Sequence, residues 1–103
     1  MSEFSNICSV NNIKPGEIKS FLIQNKQIAI CRIRNEYFAF DEICSHQNAS
    51  LASGWLEDYT IECPIHGALF DVKTGEALSL PATEDINTYK IEIRGDEIFV
   101  RLD

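Results

Sequence analysis

The chain has 103 residues, 45% of them hydrophobic and 24% charged, with a formal net charge of −7. That length fits one globular domain, the acidic balance rules against a nucleic-acid partner, which needs a basic face, and no apolar run approaches the roughly 18 residues of a membrane span. The opening residues Met1-Ser2-Glu3-Phe4-Ser5-Asn6 carry no basic stretch followed by an apolar core, so no signal peptide is expected and a cytoplasmic location follows.

In chain order, the pattern is one of short strands separated by polar turns. Cys8, in Asn6-Ile7-Cys8-Ser9-Val10, is expected to be a small core residue. Glu17 to Ile23 and Gln27 to Ile33 flank the turn Gln24-Asn25-Lys26, and the second of these carries Cys31 inside the apolar run Ile28-Ala29-Ile30-Cys31. Tyr37 to Phe40 follows Arg34-Asn35-Glu36, and Asp58 to Glu62 forms a further strand. Trp55, directly after Gly54, is expected to pack into the fold. Leu69 to Val72 and Glu76 to Leu78 flank Lys73-Thr74-Gly75, a hairpin signal with Gly at the turn. Residues 82–86 after Pro81 have room for one helical turn and no more. Tyr89, Ile91 and Ile93 alternate with charged residues, and Ile98, Val100 and Leu102 repeat that period after Gly95-Asp96. Such a series predicts an all-β fold, a sandwich or barrel of antiparallel strands.

The chemistry lies in two loops between those strands. Cys44-Ser45-His46 and Cys63-Pro64-Ile65-His66 each supply one thiol and one imidazole, and they account for both histidines of the chain. Two Cys and two His can hold a tetrahedral structural zinc, although zinc knuckles usually pair Cys with Cys. Mixed pairs are what a Rieske 2Fe-2S cluster requires, where one iron is bound by two cysteines and the other by two histidines, so that each loop reaches both irons. Small residues fill the loops (Ser45, Ala49, Ser50, Ser53, Gly54, Gly67) and let backbone amides approach the cluster sulfurs.

Around these ligands the stretch from Cys44 to Gly54, then Glu62-Cys63-Pro64-Ile65-His66-Gly67-Ala68-Leu69-Phe70-Asp71-Val72 and Thr74-Gly75, resembles the Rieske-type ferredoxins of multicomponent aromatic-ring-hydroxylating dioxygenases. The resemblance extends to Tyr89–Leu102 as a closing hairpin and to Pro81 as part of a loop over the cluster. It implies a Rieske fold across residues 1–103, an antiparallel β-sandwich base carrying a small cluster-binding subdomain of two loops at about residues 43 to 80. It also implies one 2Fe-2S cluster held by Cys44, His46, Cys63 and His66. The expected activity is one-electron transfer, without substrate turnover of its own, from an NAD(P)H-dependent flavin reductase to a terminal Rieske non-heme iron oxygenase. The surface around His46 and His66 would be the docking face. A small subunit of an assimilatory nitrite reductase and a zinc-stabilised interaction module stand as alternatives.

The chain departs from the high-potential respiratory members of the wider family. Their extra cysteine pair is replaced by Ala49 and Ile65, and their serine and tyrosine donors after the second histidine by Ala68 and Phe70. Losing two hydroxyl donors to cluster sulfur places the potential near the low end of the Rieske range, around −150 mV. Asp85 stands where the family often has proline, and the sequence suggests no role for it.

Overall fold

A computed structural model describes residues 3–45, 48–65, 67–80 and 84–102. Nine strands are found among them: β1 (Phe4–Ser9), β2 (Ile18–Ile23), β3 (Lys26–Ile33), β4 (Glu36–Asp41), β5 (Trp55–Glu57), β6 (Thr60–Glu62), β7 (Leu69–Asp71), β8 (Thr88–Arg94) and β9 (Glu97–Arg101). Two single 3-10 turns, Val10–Asn12 and Leu51–Ser53, complete the regular structure. Every strand pairing is antiparallel.

The base is a six-stranded sheet in the order β1-β9-β8-β4-β3-β2. Its halves join through only two residue pairs, Ala39↔Tyr89 and Phe40↔Thr88. Each half is a well-paired three-stranded ladder, and the two close on a shared core of Ile28, Ile30, Ala39, Ile98 and Val100. This is the sandwich base. A separate three-stranded sheet, β5-β6-β7, carries the second cysteine loop at its end.

The wall between these two parts is the β3–β4 hairpin, and the period of two explains it. Ile28 and Ile30 face the base core, while Ala29 and Cys31 face a second core shared with Phe40, Leu51, Ile61, Phe70 and both loop cysteines. A strand buried on both faces reads as an unbroken apolar run, which is the pattern of Ile28-Ala29-Ile30-Cys31. A polar latch adds to this wall. Tyr59, in the β5–β6 turn, donates its hydroxyl to Glu36 of β4, meets Phe38 edge to face at 5.8 Å, and lies under the Lys73 ammonium at 3.7 Å.

Several expectations are corrected. Glu76 to Leu78 is not a strand: it meets β7 at the isolated bridge Phe70↔Ala77, made by Asp71 N–H donating to the Glu76 carbonyl and Leu78 N–H to the Leu69 carbonyl. Gly75, at φ +80, draws the chain to within hydrogen-bonding reach of Ile86 instead, and a Cβ there would sit 2.0 Å from the Ile86 carbonyl oxygen. The strand expected from Asp58 begins at Thr60, because Asp58 takes a positive φ of 53° in the turn. Residues 84–86 are not helical, and 82–83, like Pro81, fall outside the described residues. Trp55 does not pack inside: it is 60% exposed on β5, at the edge of the small sheet.

Candidate metal centre

The two cysteine loops are built alike. Cys44 N–H donates to the Ala49 carbonyl at 2.9 Å, and Cys63 N–H donates to the Ala68 carbonyl at 2.8 Å. Each loop is therefore closed by the same bond, from the cysteine to the residue five positions on, and each closure brackets one histidine in sequence. His46 and His66 themselves lie outside the described residues.

Both thiols are buried, Cys44 at 4% and Cys63 at 0% exposure, and neither is in a disulfide. They lie in the same buried core, close enough to influence each other. Burial pushes the Cys63 thiol above its usual range, the Ile65 N–H pulls it back in part, and the neighbouring Cys44 raises it further. A metal that replaces the thiol protons removes that conflict, since coordination deprotonates cysteine. Cys31 faces the same core, but burial holds its thiol protonated, with a pKa of about 12. It remains a packing residue, as its apolar strand suggests. Cys8 is half-buried against the base core, also in a packing role.

The supports of the two loops differ. The second continues the ladder Thr60↔Asp71, Ile61↔Phe70, Glu62↔Leu69. The first leans on the isolated bridge Ile43↔Ser50 and on Leu51 N–H donating to the Glu42 carbonyl at 2.7 Å. Gly54 joins them. Its N–H bonds to the Leu51 carbonyl at the exit of the first loop, and a Cβ on it would lie 2.0 Å from the Glu62 carbonyl oxygen at the entrance of the second. The sequence singles out Gly54 as a small loop filler; its contact is with backbone of the other loop.

A strap formed by residues 77–80 and 84–86 ties the two together. Leu69 N–H donates to Ser79 Oγ, Ser45 Oγ donates to the Glu84 carbonyl, and Asp85 Oδ1 accepts from Ala77 N–H at 2.9 Å. Asp85 thus has a structural task that nothing in its local sequence signals. Around the loops, Ile65, Leu78 and Leu80 are exposed, Leu80 at 79%. Ala68 and Phe70 are fully buried beside the cysteines, so no side-chain hydroxyl stands at either position.

Two buried sulfurs in matched loops, each loop carrying one imidazole, fit the donor set of a 2Fe-2S cluster with two Cys and two His ligands. Comparisons with known proteins agree. The Rieske [2Fe-2S] domain family matches residues 3–90. The chain is 38% identical to the ferredoxin component of biphenyl 2,3-dioxygenase from Rhodococcus jostii (strain RHA1), over 94% of this chain and 91% of that one. It is 42% identical to the 3-phenylpropionate/cinnamic acid dioxygenase ferredoxin subunit of Escherichia coli (strain K12), over 92% and 90%. Among solved structures, the ferredoxin of carbazole 1,9a-dioxygenase from Nocardioides aromaticivorans IC177 superimposes with a TM-score of 0.92 at 30% identity, covering 96% of this chain and 97% of that one. A carbazole 1,9a-dioxygenase ferredoxin solved in complex with its oxygenase matches at a TM-score of 0.88 and 31% identity, over 94% and 91%. A nitrite reductase small subunit from Mycobacterium tuberculosis shares the fold at a TM-score of 0.89 but only 18% identity, over 100% and 97%. With the family matched over most of its length and near-full-length relatives above 30% identity, this chain belongs to the Rieske 2Fe-2S domain family.

Proposed function

We propose that this chain carries single electrons from an NAD(P)H-dependent flavin reductase to a terminal ring-hydroxylating oxygenase, with Cys44, His46, Cys63 and His66 as the ligands of one Rieske cluster. The observation that carries this reading is the convergence of two buried thiols in loops closed by the same hydrogen bond. When bound, the 2Fe-2S cluster takes up and releases one electron. The chain's own part is to hold the sulfurs away from water behind Leu51, Ile61 and Phe70, and to brace both loops through Gly54 and the strap residues Ser79 and Glu84.

The same observations support residues 43–80 as the cluster-binding subdomain, on a base formed by the rest of residues 1–103. The exposed Ile65, Leu78 and Leu80 support the loop end as the docking face. A ferredoxin of the carbazole system is known in complex with its oxygenase, which favours the same class of partner here. The distant nitrite reductase neighbour shares only the fold. No helix among the described residues is long and apolar enough to cross a membrane. A cytoplasmic setting suits four cysteines outside any disulfide.

An EPR-monitored redox titration of anaerobically purified protein tests the proposal. The expected result is a Rieske signal on reduction with a midpoint near about −150 mV. Loss of that signal in Cys44→Ser and in His66→Ala would assign the ligands. A strongly positive midpoint would overturn the low-potential role, and a silent protein that binds zinc despite available iron and sulfide would overturn the carrier itself.

A further inference from the structure

The second cysteine loop is framed by two paired strands, whereas the first enters from β4 and returns through the isolated bridge Ile43↔Ser50, with Glu42 beside that bridge. Glu42 is the one buried charged residue among the described residues, at 9% exposure. Its carboxylate Oε2 accepts a 2.7 Å hydrogen bond from Ser50 Oγ. The same hydroxyl accepts from Ala52 N–H at 3.2 Å and so caps the turn Leu51–Ser53. The backbone of Glu42 is held as well: its N–H donates to the Gln27 carbonyl, and its carbonyl accepts from Leu51 N–H.

These contacts span the loop. Glu42 enters it two residues before Cys44, and Ser50 leaves it directly after Ala49, whose carbonyl closes on the Cys44 N–H. Where the second loop has three paired residues on each strand, the first has one isolated bridge and this carboxylate–hydroxyl bond. A buried carboxylate is costly unless its oxygens are hydrogen-bonded, and here the bond falls on the residue that fixes the loop's exit.

We propose that Glu42 is a positioning residue for the cluster, its carboxylate bracing the first ligand loop through Ser50 in place of the sheet that braces the second. The inference rests on the ligand assignment proposed above. It concerns the hydrogen bond and not the charge, so an uncharged acceptor of the same shape should serve. The brace fixes the spacing between Cys44 and the loop's return at Ser50.

The experiment uses the cluster-loaded full chain as wild type, Glu42→Ala, Glu42→Gln, Ser50→Ala and the double alanine variant. Three readouts separate local from global effects: the rate of cluster bleaching under an iron chelator, the g-values of the reduced EPR signal, and native-state hydrogen exchange at the Cys44, Leu51 and Cys63 amides. Glu42→Ala should bleach about tenfold faster, as expected when removing an acceptor leaves its buried donor unsatisfied. Ser50→Ala should do the same, and the double variant should be no worse than either. Glu42→Gln should stay within about twofold of wild type and restore its g-values, since the amide oxygen still accepts from Ser50. Exchange should quicken at Cys44 and Leu51 and not at Cys63. Equal losses in Glu42→Gln and Glu42→Ala would overturn the proposal, because charge would then be the cause. Equal acceleration of exchange in both loops would overturn it too, because the effect would then be general destabilisation. A wild-type Rieske signal with all variants unchanged overturns this inference alone, whereas a wild type without that signal overturns the ligand assignment and this inference with it.

Discussion

Phe70 and Ala68 occupy the positions after the second ligand loop where a hydroxyl could reach cluster sulfur, and both are fully buried in the core that contains Cys44 and Cys63. A donor to sulfur favours the more negative, reduced state, so adding one raises the potential. If each new bond strengthens by ~1–2 kcal/mol on reduction, each shifts the midpoint by roughly 40–90 mV. Phe70→Tyr and Ala68→Ser are therefore expected to raise the potential separately, and the pair together to raise it further. Ala68→Ser adds one atom to a filled site and Phe70→Tyr one atom at a ring edge, so thermal unfolding should be followed alongside. Midpoints that stay at the wild-type value in well-folded, cluster-loaded variants would show that hydroxyls at these two positions do not set the potential.

At the scale of elements, the small sheet and the exit of the first loop approach each other backbone to backbone at Gly54, and the absence of a side chain there permits it. A Cβ placed 2.0 Å from the Glu62 carbonyl oxygen cannot be accommodated by a side-chain rotation, because the obstacle is main chain. Gly54→Ala should force β5 away from the second loop at a cost of about 1–3 kcal/mol, seen as a lower Tm and a lower fraction of cluster bound after reconstitution. A Tm and loading equal to wild type would show that the chain yields at this point. Such contacts explain what was legible in the sequence. Alternation identified β8 and β9, and the two-sided burial of Ile28–Cys31 identified β3. β1 escaped because Phe4–Ser9 is a half-buried strand that shows no clean period. β5 escaped because three residues are too few to carry a pattern, and its Trp55 points to solvent at a sheet edge, where residue type alone misleads. The residue types and spacing of Cys44, His46, Cys63 and His66 are what points to the donor set proposed above, since metal chemistry is written in residue type. The pieces that hold the loops (Gly54 on Glu62, Ser50 on Glu42, Asp85 on Ala77, Ser45 on Glu84) join segments through space, and no local sequence signal marks such partners.

For the whole molecule, a net charge of −7 on 103 residues is a long-range field, and an electron carrier must meet its partners quickly and leave them again. Charge acts on the encounter and apolar contact on the docked state, so the two can be told apart. If the oxygenase presents a cationic face, the second-order rate of electron transfer should fall by about tenfold between low salt and roughly 0.5 M, as the field is screened. Leu80 is 79% exposed on the strap beside the loops, with Leu78 and Ile65 also exposed there. Leu80→Ser removes apolar area from a small interface and should raise the apparent KM for the ferredoxin by roughly tenfold. It should leave both the midpoint potential and the salt slope unchanged, because it touches neither the ligand loops' hydrogen bonds nor any charge. Stopped-flow reduction of the oxygenase by the reduced carrier, run across a salt series for both proteins, reads the two effects at once. A rate indifferent to salt would reduce the acidic surface to a matter of solubility. A Leu80→Ser carrier as efficient as wild type would move the docking surface away from the strap.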